Sequence, residues 1–206
     1  ALDRAAFDLA GPHGVLGRRR LAAIDGDGGG PACDPLDPRA CLLPFPSNRS
    51  TVDSPDTDTG LLVAFPDVGM PSNEDGVVAD PTEWNRNDGF SPGTALLTVA
   101  PGVDLEASGL PGITDVPDSL AEDSPVVVVD ADTGDRWPVW AELDDGVEAG
   151  EDQLLYVRPG VNFLEGHRYV VGLRNLVDAD GEALEPSPAF LVHRDNLTTD
   201  LPVIED

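Results

Sequence analysis

One short segment of the sequence matches the motif that carries the serine nucleophile of α/β-hydrolases. Residues 89–93 read Gly89-Phe90-Ser91-Pro92-Gly93, which fits Gly-x-Ser-x-Gly. In working examples a strand precedes the serine, a helix follows it, and the backbone N–H of the next residue helps to hold the oxyanion. That next residue is Pro92, which has no N–H, and neither flank has a strand or helix pattern. We expect Ser91 to lie in a turn, with Asp88 and Ser91 bonding backbone N–H groups and Phe90 buried.

A serine hydrolase also needs a histidine base and an acid. His167 stands at the start of an expected strand and His193 at the end of another. Acidic residues are so abundant in this sequence that no spacing selects a partner for either histidine. We therefore assign no catalytic residue, and a self-contained hydrolase that uses Ser91 remains an alternative.

Two acidic segments have the alternating carboxylates of calcium-binding loops. Asp178, Asp180 and Glu182 form one of them, and residues 130–135 form the other. Neither segment supplies the glutamate at loop position 12 that an EF-hand requires, and both compositions also suit ordinary turns. We expect no metal or other cofactor, with Ca²⁺ at Asp178, Asp180 and Glu182 as the open alternative.

The sequence contains two cysteines, Cys33 and Cys41, with seven residues between them. Two of those seven residues are prolines, so the segment can close as a compact loop that brings the sulfurs together. We predict a disulfide between Cys33 and Cys41. A disulfide is typical of proteins exported to an oxidising compartment.

The overall composition excludes several classes of protein. Of 206 residues, 39 are Asp or Glu and 12 are basic, for a formal net charge of −27, and every basic residue is Arg. Such a chain repels phosphates, so we expect no nucleic-acid partner. Its 22 Gly and 20 Pro argue against a helical bundle, and no apolar run approaches the roughly 18 residues of a membrane span. The acidity itself fits salt adaptation, cation binding or a solvated surface.

The composition changes along the chain and suggests four parts. Residues 1–40 form an N-terminal extension that contains an Arg triplet and a Gly-rich linker. Residues 41–92 form an irregular Pro- and Asp-rich arm, in which residues 60–65 are the best strand and Asp80-Pro81 begins a short helix. Residues 93–194 form a β-domain, and residues 195–206 form a linker.

The β-domain is predicted from short apolar or alternating segments separated by turn signals. An all-β antiparallel sandwich follows from this pattern, and the lack of strand–helix alternation excludes an α/β-hydrolase core within these residues. The expected strands cover residues 95–99, 125–130, 136–143, 153–158, 167–173 and 189–193. We expect the Val-rich 125–130 strand to be buried on both faces. In 136–143, Trp137 lies on the same side as Val139, Ala141 and Leu143, and Trp140 lies on the other.

Three phrases in the sequence resemble the N-terminal domain of secreted bacterial lipases of the virulence-factor type. They are Leu43-Pro44-Phe45-Pro46-Ser47-Asn48, then Asn87-Asp88-Gly89-Phe90-Ser91-Pro92, and finally Tyr169-Val170-Val171-Gly172-Leu173 with the turn at Asp178. Their order agrees with the family over residues 41–194. The chain departs from the family at Ser47-Asn48, where Asn-Asp is more usual. The last phrase is also similar to immunoglobulin-like domains of bacterial S-layer and other surface proteins.

The resemblance implies an exported protein in which this chain is a non-catalytic, immunoglobulin-like β-sandwich followed by an α/β-hydrolase domain. The accessory domain would pack on the catalytic domain of a lipase- or esterase-like serine hydrolase and shape its substrate entrance. A binding or structural module of a bacterial cell-surface protein is the alternative. We expect docking through the apolar arm and the few Arg, with most acids facing water. The expected docking residues are Pro44, Phe45, Pro46, Asp88, Phe90 and Ser91.

Overall fold

Short strands make up most of the regular structure. A computed structural model describes residues 42–67, 70–146 and 153–195. Within them the strands are β1 (Thr51–Asp53), β2 (Leu61–Val63), β3 (Leu96–Val99), β4 (Val126–Asp130), β5 (Val139–Leu143), β6 (Leu154–Pro159) and β7 (Tyr169–Leu173). One α-helix, α1 (Pro188–Arg194), follows them. Three short 3₁₀ helices cover Asn48–Ser50, Pro81–Arg86 and Val116–Leu120.

All strand pairs are antiparallel. One sheet has the order β3-β6-β5, a second pairs β4 with β7, and the arm contributes the β1-β2 pair. The two larger sheets contribute to one hydrophobic core, so the chain has the predicted all-β antiparallel fold. The partner of β4 is β7, almost forty residues further along the chain, so the second sheet is closed by a long-range pairing.

The core is built from the alternating residues of these strands. Val126 and Val128 of β4 are fully buried, whereas Val127 and Val129 are only half-buried. The prediction that residues 125–130 are buried on both faces is therefore wrong. The reason is that β4 belongs to a two-stranded sheet with one face on the core, which gives an alternating pattern.

The faces predicted for residues 136–143 are confirmed, but the strand β5 itself is shorter than predicted and begins at Val139. Val139 and Ala141 are buried, and Trp137 and Leu143 pack against the same core cluster. Trp140 lies on the other face of the sheet, where its ring centroid is 5.6 Å from the guanidinium carbon of Arg158.

The arm packs on the β-domain instead of extending away from it. The backbone of Phe45 exchanges two hydrogen bonds with Leu97 of β3, with N–O distances of 2.8 and 2.7 Å. Pro44 and Pro46 are buried. Further along, Asp80 caps the Pro81–Arg86 helix by accepting the N–H of Thr82, as predicted from the sequence. The arm is irregular but ordered, and near its start Phe45 pairs with the edge of β3.

The strand predicted at residues 189–193 is wrong, because this segment forms α1. The Ser187 hydroxyl accepts the N–H of Phe190, and a proline occupies the first helical turn. A capping serine followed by proline is a helix start, and these signals override the apolar run. Ala189, Phe190 and Val192 are buried. In the described part of the chain, no helix is long and apolar enough to cross a membrane.

Two predictions fall on residues outside the described ranges. They are the disulfide between Cys33 and Cys41 and the N-terminal extension over residues 1–40. Of the expected linker over residues 195–206, only Asp195 is described.

Candidate functional site

A cleft of about 770 Å³ lies where the arm meets one end of the β-domain. One wall comes from the arm and carries the aromatic rings of Phe45, Phe65, Trp84 and Phe90. The opposite wall is the segment from Phe163 to Tyr169, which leads into β7. Its volume lies in the range of sites for small molecules.

Three phenylalanines from separate parts of the arm form the apolar floor of the cleft. The ring centroids of Phe45 and Phe65 are 6.2 Å apart, those of Phe45 and Phe90 are 5.7 Å apart, and those of Phe65 and Phe90 are 6.1 Å apart. These separations are typical of favourable aromatic pairs. All three side chains are half-buried, so the cluster both anchors the arm and presents apolar surface to the cleft.

A buried aspartate is paired with a histidine that lines the opposite wall of the cleft. His167 Nδ1 lies 2.7 Å from Asp130 Oδ2, and only 1% of the Asp130 surface is exposed. Asp130 Oδ1 also accepts the backbone N–H of Asp132 at 2.9 Å and that of Thr133 at 3.4 Å. The strand register explains the pairing, because Asp130 stands opposite Tyr169, two residues after His167.

The surroundings of Asp130 determine the pKa of its carboxyl group. Burial is the largest single influence and raises the pKa, but the N–H of Asp132, the His167 ring and the N–H of Thr133 together lower it below the ordinary aspartate value. Burial raises the pKa of Tyr169, the N–H that Leu164 donates to its hydroxyl lowers it, and the nearby Asp130 raises it further. Asp130 is therefore a charged group held by donors, next to a neutral phenol.

Asp132 joins this pair to give the one group of possible metal ligands among the described residues. Ligand atoms of Asp130, Asp132 and His167 all lie within 4.8 Å of one another. However, Asp130 Oδ1 already accepts two backbone N–H groups, and Asp132 Oδ2 accepts the N–H of Arg168 at 3.0 Å. In this arrangement the three side chains connect the turn after β4 to the segment before β7.

Ser91 lies at the rim of the cleft, which His167 also lines. The Ser91 hydroxyl accepts the N–H of Gly93 at 3.4 Å, and the Ser91 carbonyl accepts the N–H of Thr94 at 3.0 Å. Ser91 is thus part of a turn, with no strand before it and no helix after it, as the sequence predicted. His193, the other histidine considered, lies in the last turn of α1.

The six expected docking residues divide into three kinds. Pro44 and Pro46 are buried against β3 and line a small gap beside Leu96 and Val157, so they attach the arm to its own β-domain. Phe45 and Phe90 line the cleft, and Phe90 is half-buried rather than buried. Asp88 and Ser91 are exposed at its rim. The segment from Asp88 to Ser91 is the part that a partner can reach.

The proposed calcium ligands lie in a well-formed turn. Asp178 Oδ1 accepts the N–H groups of Asp180 and Glu182, both at 2.9 Å, and the Asp178 N–H is bonded to the carbonyl of Glu182. Asp180 and Glu182 are exposed. This geometry is that of an Asx turn, and Ca²⁺ binding here stays a prediction.

Sequence reasoning missed the pairing of Asp130 with His167 and the roles of Phe65 and Trp84. One signal for the pairing was present in the sequence. The alternation that buries Val126 and Val128 places Asp130 on the same core-facing side of β4, and a buried carboxylate needs a partner. The identity of the partner depended on the β4–β7 pairing, which no local pattern shows.

Comparisons with protein-family models, with curated proteins and with solved structures find no match to this chain.

Proposed function

We propose that this chain is an accessory, non-catalytic domain of immunoglobulin-like type in an exported lipase- or esterase-like hydrolase. Its arm packs on the catalytic α/β-hydrolase domain and shapes the entrance for substrate. The observation that carries this proposal is the set of exposed hydrophobic side chains on an arm that is itself firmly anchored. The class of partner is proposed from the three phrases that resemble secreted lipases.

The arm has several large apolar side chains in contact with solvent. Val52 is 53% exposed, Val77 65%, Val78 53% and Trp84 51%. Exposed apolar side chains that occur together are a feature of protein interaction sites. The arm contains about a third of the described residues, but it contains half of the large hydrophobic residues that are exposed among them.

The segment that carries Val77 and Val78 has a defined conformation. The Asn73 side chain accepts the N–H groups of Asp75 and Val77, at 3.0 and 2.9 Å, and Val78 pairs with Ser72 as an isolated β-bridge. The two valines are therefore displayed from a hydrogen-bonded turn. Displaying them from an ordered turn reduces the entropy lost on docking.

The hydrogen bonds at the cleft support a non-catalytic role for this chain. Ser91 is used in a turn and is followed by Pro92, which provides no oxyanion donor. Asp130 and His167 hold two segments of the β-domain together. An enzyme of this class would obtain its nucleophile from the partner domain.

The first test is made on the protein as isolated from its source. We expect a species larger than the 21.6 kDa of this chain that hydrolyses p-nitrophenyl butyrate, while this chain alone does not. A native species of 21.6 kDa without esterase activity would overturn the proposal and favour the surface-module alternative. Turnover by this chain alone would overturn it in favour of a self-contained hydrolase.

The second test replaces the exposed valines of the arm in the complete enzyme. We expect the double variant Val77→Ser/Val78→Ser to lower its melting temperature and its esterase activity, and to leave the melting temperature of this chain alone unchanged. The matched control is Ile113→Ser/Val161→Ser, whose side chains are 67% and 55% exposed outside the arm. Equal effects of the two double variants would show that the arm is not the docking surface.

A further inference from the structure

We propose that the cleft between the arm and the β-domain is a binding site for an organic cation, an ammonium or guanidinium group with apolar substituents. Nothing in this inference depends on the accessory role proposed above. It follows from the size of the cleft, the aromatic rings in it and the sign of the charges at its rim.

The rings in the cleft suit a cation that is weakly hydrated. Trp84 is 51% exposed, and Phe45, Phe65 and Phe90 are half-buried, so each ring offers surface to a ligand. The face of an aromatic ring is negative and attracts ammonium and guanidinium groups. The same rings contact methyl or methylene groups around the charge, which favours a substituted ammonium over a bare metal ion.

Among the described residues, the lining of the cleft has three carboxylates, and its other titratable side chains are those of His167 and Tyr169. Asp58, Asp88 and Glu165 line the cleft, and each is exposed. Among the described residues that line it, none is Arg, and the sequence contains no Lys. The net charge of −27 adds a long-range attraction for cations and a repulsion for anions.

The combination of rings and carboxylates excludes other ligand classes. A phosphate or carboxylate ligand would be repelled by the rim and would find no Arg in the described lining. Calcium requires six to eight oxygen ligands and gains little from the aromatic rings. A neutral apolar ligand would use the rings but not the three carboxylates, which gives a direct way to test the assignment.

The experiment compares choline with its uncharged carbon isostere, 3,3-dimethylbutan-1-ol, by NMR titration of the ¹⁵N-labelled chain. We expect choline to shift the Trp84 indole N–H with a dissociation constant of about 1–10 mM, and the isostere to bind about tenfold more weakly. Raising the salt concentration from 20 to 500 mM should weaken choline binding only. Equal affinities for choline and the isostere would overturn the proposal, because the cleft would then be an apolar groove without preference for a cation. Chemical-shift changes confined to residues away from the cleft would also overturn it.

Two pairs of variants locate the site. We expect Trp84→Leu to weaken choline binding about two- to fivefold, with Trp140→Leu as the control because Trp140 is not among the residues that line the cleft. Asp88→Asn should also weaken binding, with Asp118→Asn as the control for loss of one exposed charge. If either variant of the cleft binds choline as well as its control does, the assignment is wrong. Because this chain alone is titrated, failure leaves the accessory role untouched.

Discussion

Replacing Asp130 by Asn tests whether the buried pair with His167 stabilises the fold. The substitution keeps the shape of the side chain and one carbonyl oxygen, which can still accept the N–H groups of Asp132 and Thr133. It removes the charged oxygen that lies 2.7 Å from His167 Nδ1. The amide nitrogen that replaces this oxygen cannot accept a hydrogen bond, so the contact between a carboxylate and the imidazole is lost.

The expected cost follows from the burial and the charge of this contact. A hydrogen bond to a charged group contributes about 1.5–3 kcal/mol, and the 1% exposure of Asp130 leaves little room for water to replace it. We expect Asp130→Asn to lower the free energy of unfolding by about 2 kcal/mol and the melting temperature by about 4–8 °C. The control is Asp132→Asn, whose side chain is 55% exposed; its expected cost is below about 0.5 kcal/mol.

The pH dependence of this difference identifies the group responsible. The pKa of Asp130 is lower in the folded protein than the ordinary aspartate value, so its ionisation stabilises the fold at pH values above the unfolded pKa. This contribution is lost as the pH falls through the folded pKa. Urea unfolding followed by circular dichroism should show the difference in free energy of unfolding between wild type and Asp130→Asn at pH 5. This difference should become smaller below about pH 4. A difference in free energy of unfolding below about 0.5 kcal/mol at pH 5, or an equal loss of stability in Asp132→Asn, would refute a stabilising role for the Asp130–His167 pair.

Two further substitutions test the packing and the turn at the cleft. A Cβ added at Gly160 would lie 2.7 Å from Cγ1 of Val116, so Gly160→Ala should lower the free energy of unfolding in urea by about 1–3 kcal/mol. The control is Gly89→Ala, which should be near wild type because no atom lies within 4 Å of the added Cβ. Equal costs of the two substitutions would contradict the close packing at Gly160. Ser91→Ala should leave the esterase activity of the complete enzyme unchanged and alter stability by less than about 0.5 kcal/mol, whereas a tenfold loss of turnover would restore the hydrolase hypothesis for Ser91.

Local sequence patterns located most of the strands, because each strand is a short apolar or alternating segment bounded by turn residues. The alternation in residues 136–143 correctly placed Val139 and Ala141 in the core. The same reasoning failed at residues 189–193, where five mostly apolar residues are compatible with either a strand or a helix. In this segment Ser187 and the proline after it start a helix, and this pattern outweighs the apolar run that also suits a strand.

The cleft could not be predicted in the same way, because its parts are far apart in the sequence. Phe45, Phe65 and Phe90 meet only after the arm folds back along β3 through the bonds between Phe45 and Leu97. Asp130 and His167 are 37 residues apart and meet only through the β4–β7 register. Burial patterns report which face of one element is covered, but they do not report which other element covers it.

The structure gives part of the high acid content a local physical cause. Among the residues that the structure describes, five aspartate side chains accept backbone N–H groups within four residues of themselves, and they are Asp80, Asp104, Asp130, Asp144 and Asp178. In a fold of short strands joined by many turns, such bonds satisfy N–H groups that no strand pairs. Asp58, Asp88 and Glu165 at the cleft are different, because they are exposed beside aromatic rings. If the acidic residues served solvation alone, these three would be interchangeable with any other acidic residue on the surface. In that case Asp88→Asn and Asp118→Asn would bind choline with the same affinity.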